Sequence, residues 1–195
     1  MPYASTDTAR VHYTLEGDGP ALVLLHGTGG DGYSHWGQLT RHLTPARRVI
    51  CPDYAGSGRT TDHGGALTLD ELVAQTLAVL DAEGLDRVDL AGYSLGAVIA
   101  AALAAIVKFT NWEGMARQTA LDSQLDIRAE LGGIVAPTQV IAGNEDQMVP
   151  RRLTDELADG IAGADRLTLP GGHLLPLEQP QALAEAILGF VTQGG

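Results

Sequence analysis

The sequence predicts an α/β fold: a doubly wound, mostly parallel sheet with helices on both faces. Three observations predict it. The stretch 21–25 (Ala-Leu-Val-Leu-Leu) is a continuous apolar run of the kind that marks a strand buried on both faces of a parallel sheet, and 47–51 (Arg-Arg-Val-Ile-Cys) reads as another buried strand. Between such runs, residues 69–83 place Leu69, Leu72, Val73, Leu77 and Leu80 at a helical period. A β-rich run, Arg87-Val88-Asp89-Leu90-Ala91, is then separated from an apolar helical run, 98–107, by one glycine-flanked turn. Strands alternating with helices in this way put loops, and any site built on them, at the carboxyl ends of the strands.

In order along the chain, residues 10–16 alternate like an edge strand and turn at Gly17-Asp18-Gly19-Pro20. The buried strand 21–25 runs into a glycine loop, His26-Gly27-Thr28-Gly29-Gly30, and a short helix follows over 36–43. Strand 47–51 ends in the turn 52–58. Helix 69–83 has Thr68 as its N-cap and Gly84 past its end. Beyond the helix at 98–107, the stretch 108–132 holds no strand-like run. Strands resume at 138–142, a helix spans 151–161 with Pro150 at its start, 166–169 is the last strand, and Pro180 precedes a last helix over 181–191.

The 195 residues suit a single domain, 1–195, able to bury roughly 70% of its unfolded surface. A net charge of −12 disfavours nucleic acid and anionic membranes as partners. With one cysteine, Cys51, set in a strand, no intrachain disulfide forms and a buried thiol is expected. The start of the chain has neither a basic nor an apolar leader region, and the expected location is the cytoplasm. His35, His42 and His63 lack ligand spacing and are expected on the surface, so no metal is assigned.

The chemistry concentrates at Gly92-Tyr93-Ser94-Leu95-Gly96. This is the pattern of a nucleophile elbow, a serine on a strained strand-to-helix turn, with glycines where the two backbones pass too closely for a Cβ. The helix N-terminus beneath the serine favours developing negative charge. A serine nucleophile needs a base, and the base needs an orienting carboxylate. Asp146 follows strand 138–142 through Gly143-Asn144-Glu145, and His173 follows strand 166–169 through Pro170-Gly171-Gly172. Glu145 competes with Asp146 for the role of the acid.

The order Ser94, Asp146, His173 is that of the α/β-hydrolase fold, and the chain resembles that superfamily, near its esterase, lactonase and cofactor-free haloperoxidase-like members. The resemblance runs in motif order over most of the chain. Leu24-Leu25-His26-Gly27-Thr28, with Trp36 downstream, is similar to the family's oxyanion loop, and Asp53-Tyr54-Ala55-Gly56-Ser57-Gly58 to its D-x-x-G-x-G turn. Pro137-Thr138 through Asp146 to Val149-Pro150 resembles the segment carrying the acid, and Gly172-His173 with Glu178-Gln179-Pro180 that carrying the base. The resemblance implies Ser94 as nucleophile, His173 as base and Asp146 as its orienter. It also implies the backbone N–H groups of Thr28 and Leu95 as oxyanion donors, worth about 3–4 kcal/mol each in such sites. It gives His26 the task of bracing the oxyanion loop, and leaves Asp53 and its glycine turn structural. Trp36 and Tyr93 either line the substrate pocket or pack.

The resemblance implies a serine hydrolase acting on a small or medium carboxylic ester, thioester or lactone, with no cofactor. Perhydrolysis or haloperoxidase chemistry, carbon–carbon cleavage by the same triad, and a non-catalytic hydrolase-fold receptor or scaffold remain alternatives. The chain departs from the family in its middle. Members insert a strand and a helical cap between the elbow helix and the acid's strand, whereas 108–132 resembles only a remnant of a cap. Three explanations stay open: cap residues absent from this sequence; a deletion that brings strand 138–142 beside the elbow strand; or a homo-oligomer whose second chain covers the uncovered apolar edge.

Overall fold

The computed structural model describes residues 2–106 and 126–193. Its central sheet takes the order β1 (Tyr3–Ser5), β2 (Ala9–Glu16), β4 (Arg48–Pro52), β3 (Ala21–Leu25), β6 (Asp89–Gly92), with β5 (Thr61–Asp62) also paired to β2. The inner pairs β3–β4 and β3–β6 are parallel, while β2 runs antiparallel to β1, β4 and β5. A second, two-stranded parallel sheet joins β7 (Gln139–Gly143) to β8 (Asp165–Leu169).

Helices α1 (Gly32–Leu43), α2 (Leu69–Ala82), α3 (Leu95–Ile106), α4 (Arg151–Gly160), α5 (Leu175–Glu178) and α6 (Pro180–Gln193) are interleaved with the strands. Side-chain alternation sorts them onto two faces. Val23, Leu25 and Ile50 pack with Leu72 and Val79 of α2 and Ile99 and Leu103 of α3. Leu22, Leu24, Val49 and Cys51 point the other way, onto Trp36, Leu39 and Leu43 of α1 and Leu183, Ala184 and Ile187 of α6. Burial pushes the Cys51 thiol up to about 12, as expected of a strand residue rather than a nucleophile.

Strand register decides where the loops emerge. Leu25 pairs with Gly92, so the loop after β3 and the turn after β6 leave the sheet together. Gly143 pairs with Leu169, so the loops carrying Asp146 and His173 also leave side by side.

Several expectations are revised. Residues 10–16 do not form an edge strand: β2 has β1 on one side and β4 and β5 on the other. Helix α1 begins at Gly32, four residues ahead of Trp36. The Asp31 side chain caps the Ser34 N–H and the Ser34 hydroxyl returns a bond to the Asp31 N–H, and this reciprocal cap starts the helix earlier. α3 begins at Leu95, directly after the serine of the turn. Pro150 is the cap of α4 rather than its first residue, and Pro180 is the first residue of α6. The strand at 138–142 is not beside the elbow strand: among the described residues β7 pairs with β8 and β6 with β3.

Of the region 108–132, residues 108–125 lie outside the described residues. The remainder ends in a 3-10 turn, Leu131–Gly133, whose Leu131 packs with Ile134 and Ile161 against Ala101 and Ala104 of α3. Among the described residues, no helix is long and apolar enough to cross a membrane.

Candidate active site

The turn between β6 and α3 holds Ser94 at φ 53°, the one positive φ at a non-glycine residue among those described. A left-handed conformation costs an L-residue roughly 1–2 kcal/mol, so the surrounding structure must impose it. The two glycines of the motif are where that happens. A Cβ on Gly92 would stand 2.1 Å from the carbonyl oxygen of Gly96, and one on Gly96 would stand 2.0 Å from that of Leu25. Strand, turn and helix are in backbone contact, and no larger residue fits at either place.

Leu95, 2% exposed, is the first residue of α3, where backbone N–H groups have no partner within the helix. Thr28 is half-buried in the neighbouring loop, one residue past Gly27, which packs on the Tyr93 ring and Ser94 Cβ. That loop is braced from beneath by His26, fully buried. The His26 Nδ1–H donates to the Gly27 carbonyl at 2.8 Å, and Nε2 accepts the Tyr54 N–H at 3.2 Å. The two bonds require the neutral ring, in agreement with burial driving its pKa down. The bracing part expected of His26 is therefore met by its hydrogen bonds.

Asp53 is structural as expected. Its carboxylate accepts from His12 Nδ1 at 2.7 Å and from the backbone N–H groups of Gly32 and Arg59 at 3.0 and 3.2 Å, tying the turn after β4 to β2 and α1.

On the second sheet, His173 Nδ1 lies 2.9 Å from Asp146 Oδ2, and both side chains are largely buried. Asp146 Oδ1 accepts the N–H groups of Met148 and Val149, each at 2.9 Å. Burial pushes the Asp146 carboxyl up, but the bonds from Val149, His173 and Met148 outweigh it and leave the group below its usual range. Glu145 points to solvent, so the carboxylate that meets the histidine is that of Asp146. The loop bearing His173 is fixed in turn by Asn144 Oδ1, which accepts the Gly171 N–H at 3.0 Å, and by Glu178, which accepts the N–H groups of Gly172 and Leu174.

The two sheets meet through Tyr93. Its ring lies 5.2 Å from that of His173, centroid to centroid, and the residue immediately follows it in sequence as Ser94. Ser94, Asp146 and His173 thus occupy neighbouring loops on one rim. Trp36, 2% exposed, meets Tyr93 edge-on at 6.3 Å.

His35 is the residue that sequence reasoning misplaced. It is half-buried, not on the surface, with its ring 5.1 Å from Tyr93 and stacked parallel to His26 at 6.0 Å. Helical periodicity carries no signal for this, because the glycine loop that folds back over His35 lies outside the helix.

Fold, elbow and rim loops together define an α/β hydrolase, and the chain belongs to that family, whose model, described as the alpha/beta hydrolase fold, matches residues 20–111. Within it, the chain is 30% identical over 252 residues to a pyrrolizixenacetamide deacetylase of Xenorhabdus hominickii, covering 94% of this chain and 95% of that protein. An alignment of 252 positions exceeds the 195 residues available, so the relative carries residues that have no counterpart in this chain.

Among solved structures, a hydrolase from Pseudomonas aeruginosa PA01 superposes with a TM-score of 0.85 at 25% identity, covering 97% of each chain. The enol-lactonase from Burkholderia xenovorans LB400 gives 0.85 at 22% identity, covering 98% of this chain and all of that one, a likeness of fold. The protein is a hydrolase.

Proposed function

We propose that the protein is a serine hydrolase that cleaves a small or medium carboxylic ester, thioester or lactone through an acyl-enzyme on Ser94. The observation that carries the reading is the His173–Asp146 contact at 2.9 Å on the same rim as the left-handed Ser94. Asp146 accepts a hydrogen bond from the Nδ1–H of His173, which leaves the Nε2 lone pair of His173 to act as base.

Ser94 Oγ attacks the acyl carbon while Nε2 takes its proton. The carbonyl electron pair moves onto oxygen, where the N–H groups of Thr28 and Leu95 stabilise it. Collapse expels the alcohol or thiol, protonated by His173. Water, deprotonated by the same imidazole, attacks the acyl-enzyme and releases the acid and free Ser94. Every step uses this chain's own groups and water. The deacetylase and enol-lactonase named above also fall within acyl transfer to water, which supports the reading.

A fluorophosphonate tests it. The wild-type protein should gain one adduct, located on Ser94 by peptide mass, and Ser94→Ala should gain none. A folded wild type that stays unmodified overturns the proposal.

A further inference from the structure

The two oxyanion donors of the proposed mechanism sit on separate segments, Thr28 on the loop after β3 and Leu95 at the start of α3. Their spacing has to be held within a fraction of an ångström for both to reach one oxygen. The inner limb of the loop is well fixed, by the two bonds of His26 and by Gly27 lying on Tyr93 and Ser94. The outer limb is formed by Gly29 and Gly30. Gly29 takes φ 78° with open space around it, where even an added Cβ would meet nothing within 4 Å. Gly30, next along, lies directly on the His35 ring: a Cβ there would stand 2.0 Å from Cε1 and 2.3 Å from Nδ1. The same ring faces Tyr93 at 5.1 Å, and Tyr93 faces His173 at 5.2 Å. His35 therefore stands between the outer limb of the loop and the residue that precedes Ser94.

We infer that His35 is a positioning residue, a prop projecting from α1 that sets the outer limb of the 26–30 loop against the elbow. It acts through its volume. Nδ1 is buried with no hydrogen-bond partner, so the ring contributes no bond on that side. Such an atom costs free energy that an apolar ring of the same shape avoids. The inference rests on the proposed serine-hydrolase reading only for its effect on rate. The packing it describes is independent of that reading.

The experiment compares His35→Ala with His35→Phe. The alanine variant removes the prop, so the loop relaxes and Tyr93 gains room to turn. Since oxyanion donors act in the transition state more than in the ground state, kcat on a p-nitrophenyl ester should fall by about tenfold or more, with KM within about threefold. Phe restores the ring without its nitrogens and should return kcat to within about threefold of wild type. Both variants should keep the wild-type shape of the pH profile, because neither substitution touches His173, the proposed base.

Amide exchange supplies the second measurement. Exchange at residues 28–30 should quicken in His35→Ala and return toward wild type in His35→Phe, whether or not the protein turns over any ester. Wild-type kcat and unchanged exchange in His35→Ala overturn the inference. So does a phenylalanine variant as impaired as the alanine one, which assigns His35 a chemical part instead. Normal exchange behaviour in a wild type that fails to react with fluorophosphonate overturns only the proposed function.

Discussion

Asp146 divides its carboxylate between a partner and its own loop: Oδ2 lies 2.9 Å from His173 Nδ1, while Oδ1 accepts the backbone N–H groups of Met148 and Val149. The division makes Asp146→Asn a sharp substitution. Two backbone donors aimed at Oδ1 fix the amide oxygen of Asn there, so its NH2 turns to His173. An NH2 can only donate, which forces Nδ1 to accept and moves the histidine proton to Nε2, the nitrogen required as base. The expected outcome is a loss of kcat of about three orders of magnitude on an ester substrate, with the fold intact by circular dichroism. A loss smaller than tenfold contradicts the assignment of Asp146.

The histidines predict how stability depends on pH. Burial drives the pKa of His26 and of His35 below the usual 6.5, the ring of His26 also needing to stay neutral to accept the Tyr54 N–H. In the unfolded chain both bind protons near pH 6.5, more readily than in the folded state. Their contribution to stability is therefore complete above about 6.5 and is lost as the pH falls toward their folded values. Asp146, held below its usual range, keeps its contribution until about pH 4 and loses it on further acidification. The melting temperature should be level from pH 8 to 7 and decline from about 6.5 downward, well before carboxylates titrate. His35→Phe should lessen the decline between 6.5 and 5. A melting temperature constant over that interval shows that neither ring is held neutral.

Most of this site is written in local patterns, and the exceptions have physical causes. The buried strand 21–25, the glycine-flanked Ser94 and the loops bearing Asp146 and His173 are legible because each depends on residues adjacent in sequence. The convergence of those loops follows from the parallel registers Leu25 with Gly92 and Gly143 with Leu169. What stays hidden depends on partners distant in the chain. The three residues of β1 are too short to carry an alternating pattern, and without that strand β2 reads as an edge. His35 reads as a surface residue because the loop that covers it is ordered by His26 and Tyr54. The separation of β7 from β6 is likewise invisible, since an apolar strand is compatible with either neighbour.

The left-handed backbone of Ser94 yields a prediction that separates strain from chemistry. At φ 53° the Cβ of any L-residue crowds its own backbone, at a cost of about 1–2 kcal/mol. Ser94→Ala removes the hydroxyl but keeps the Cβ, so it abolishes acylation and leaves the strain in place. Ser94→Gly removes both. Glycine loses more conformational entropy on folding, which takes back about 0.5–1 kcal/mol of the relief. The glycine variant should thus exceed the alanine variant in stability by somewhat under about 1 kcal/mol, or about 1–3 °C in melting temperature for a domain of this size. Both should be unreactive toward fluorophosphonate. A glycine variant less stable than the alanine variant by about 0.5–1 kcal/mol would mean that the turn is relaxed, and that the close backbone approach at Gly92 and Gly96 holds the serine in place without strain.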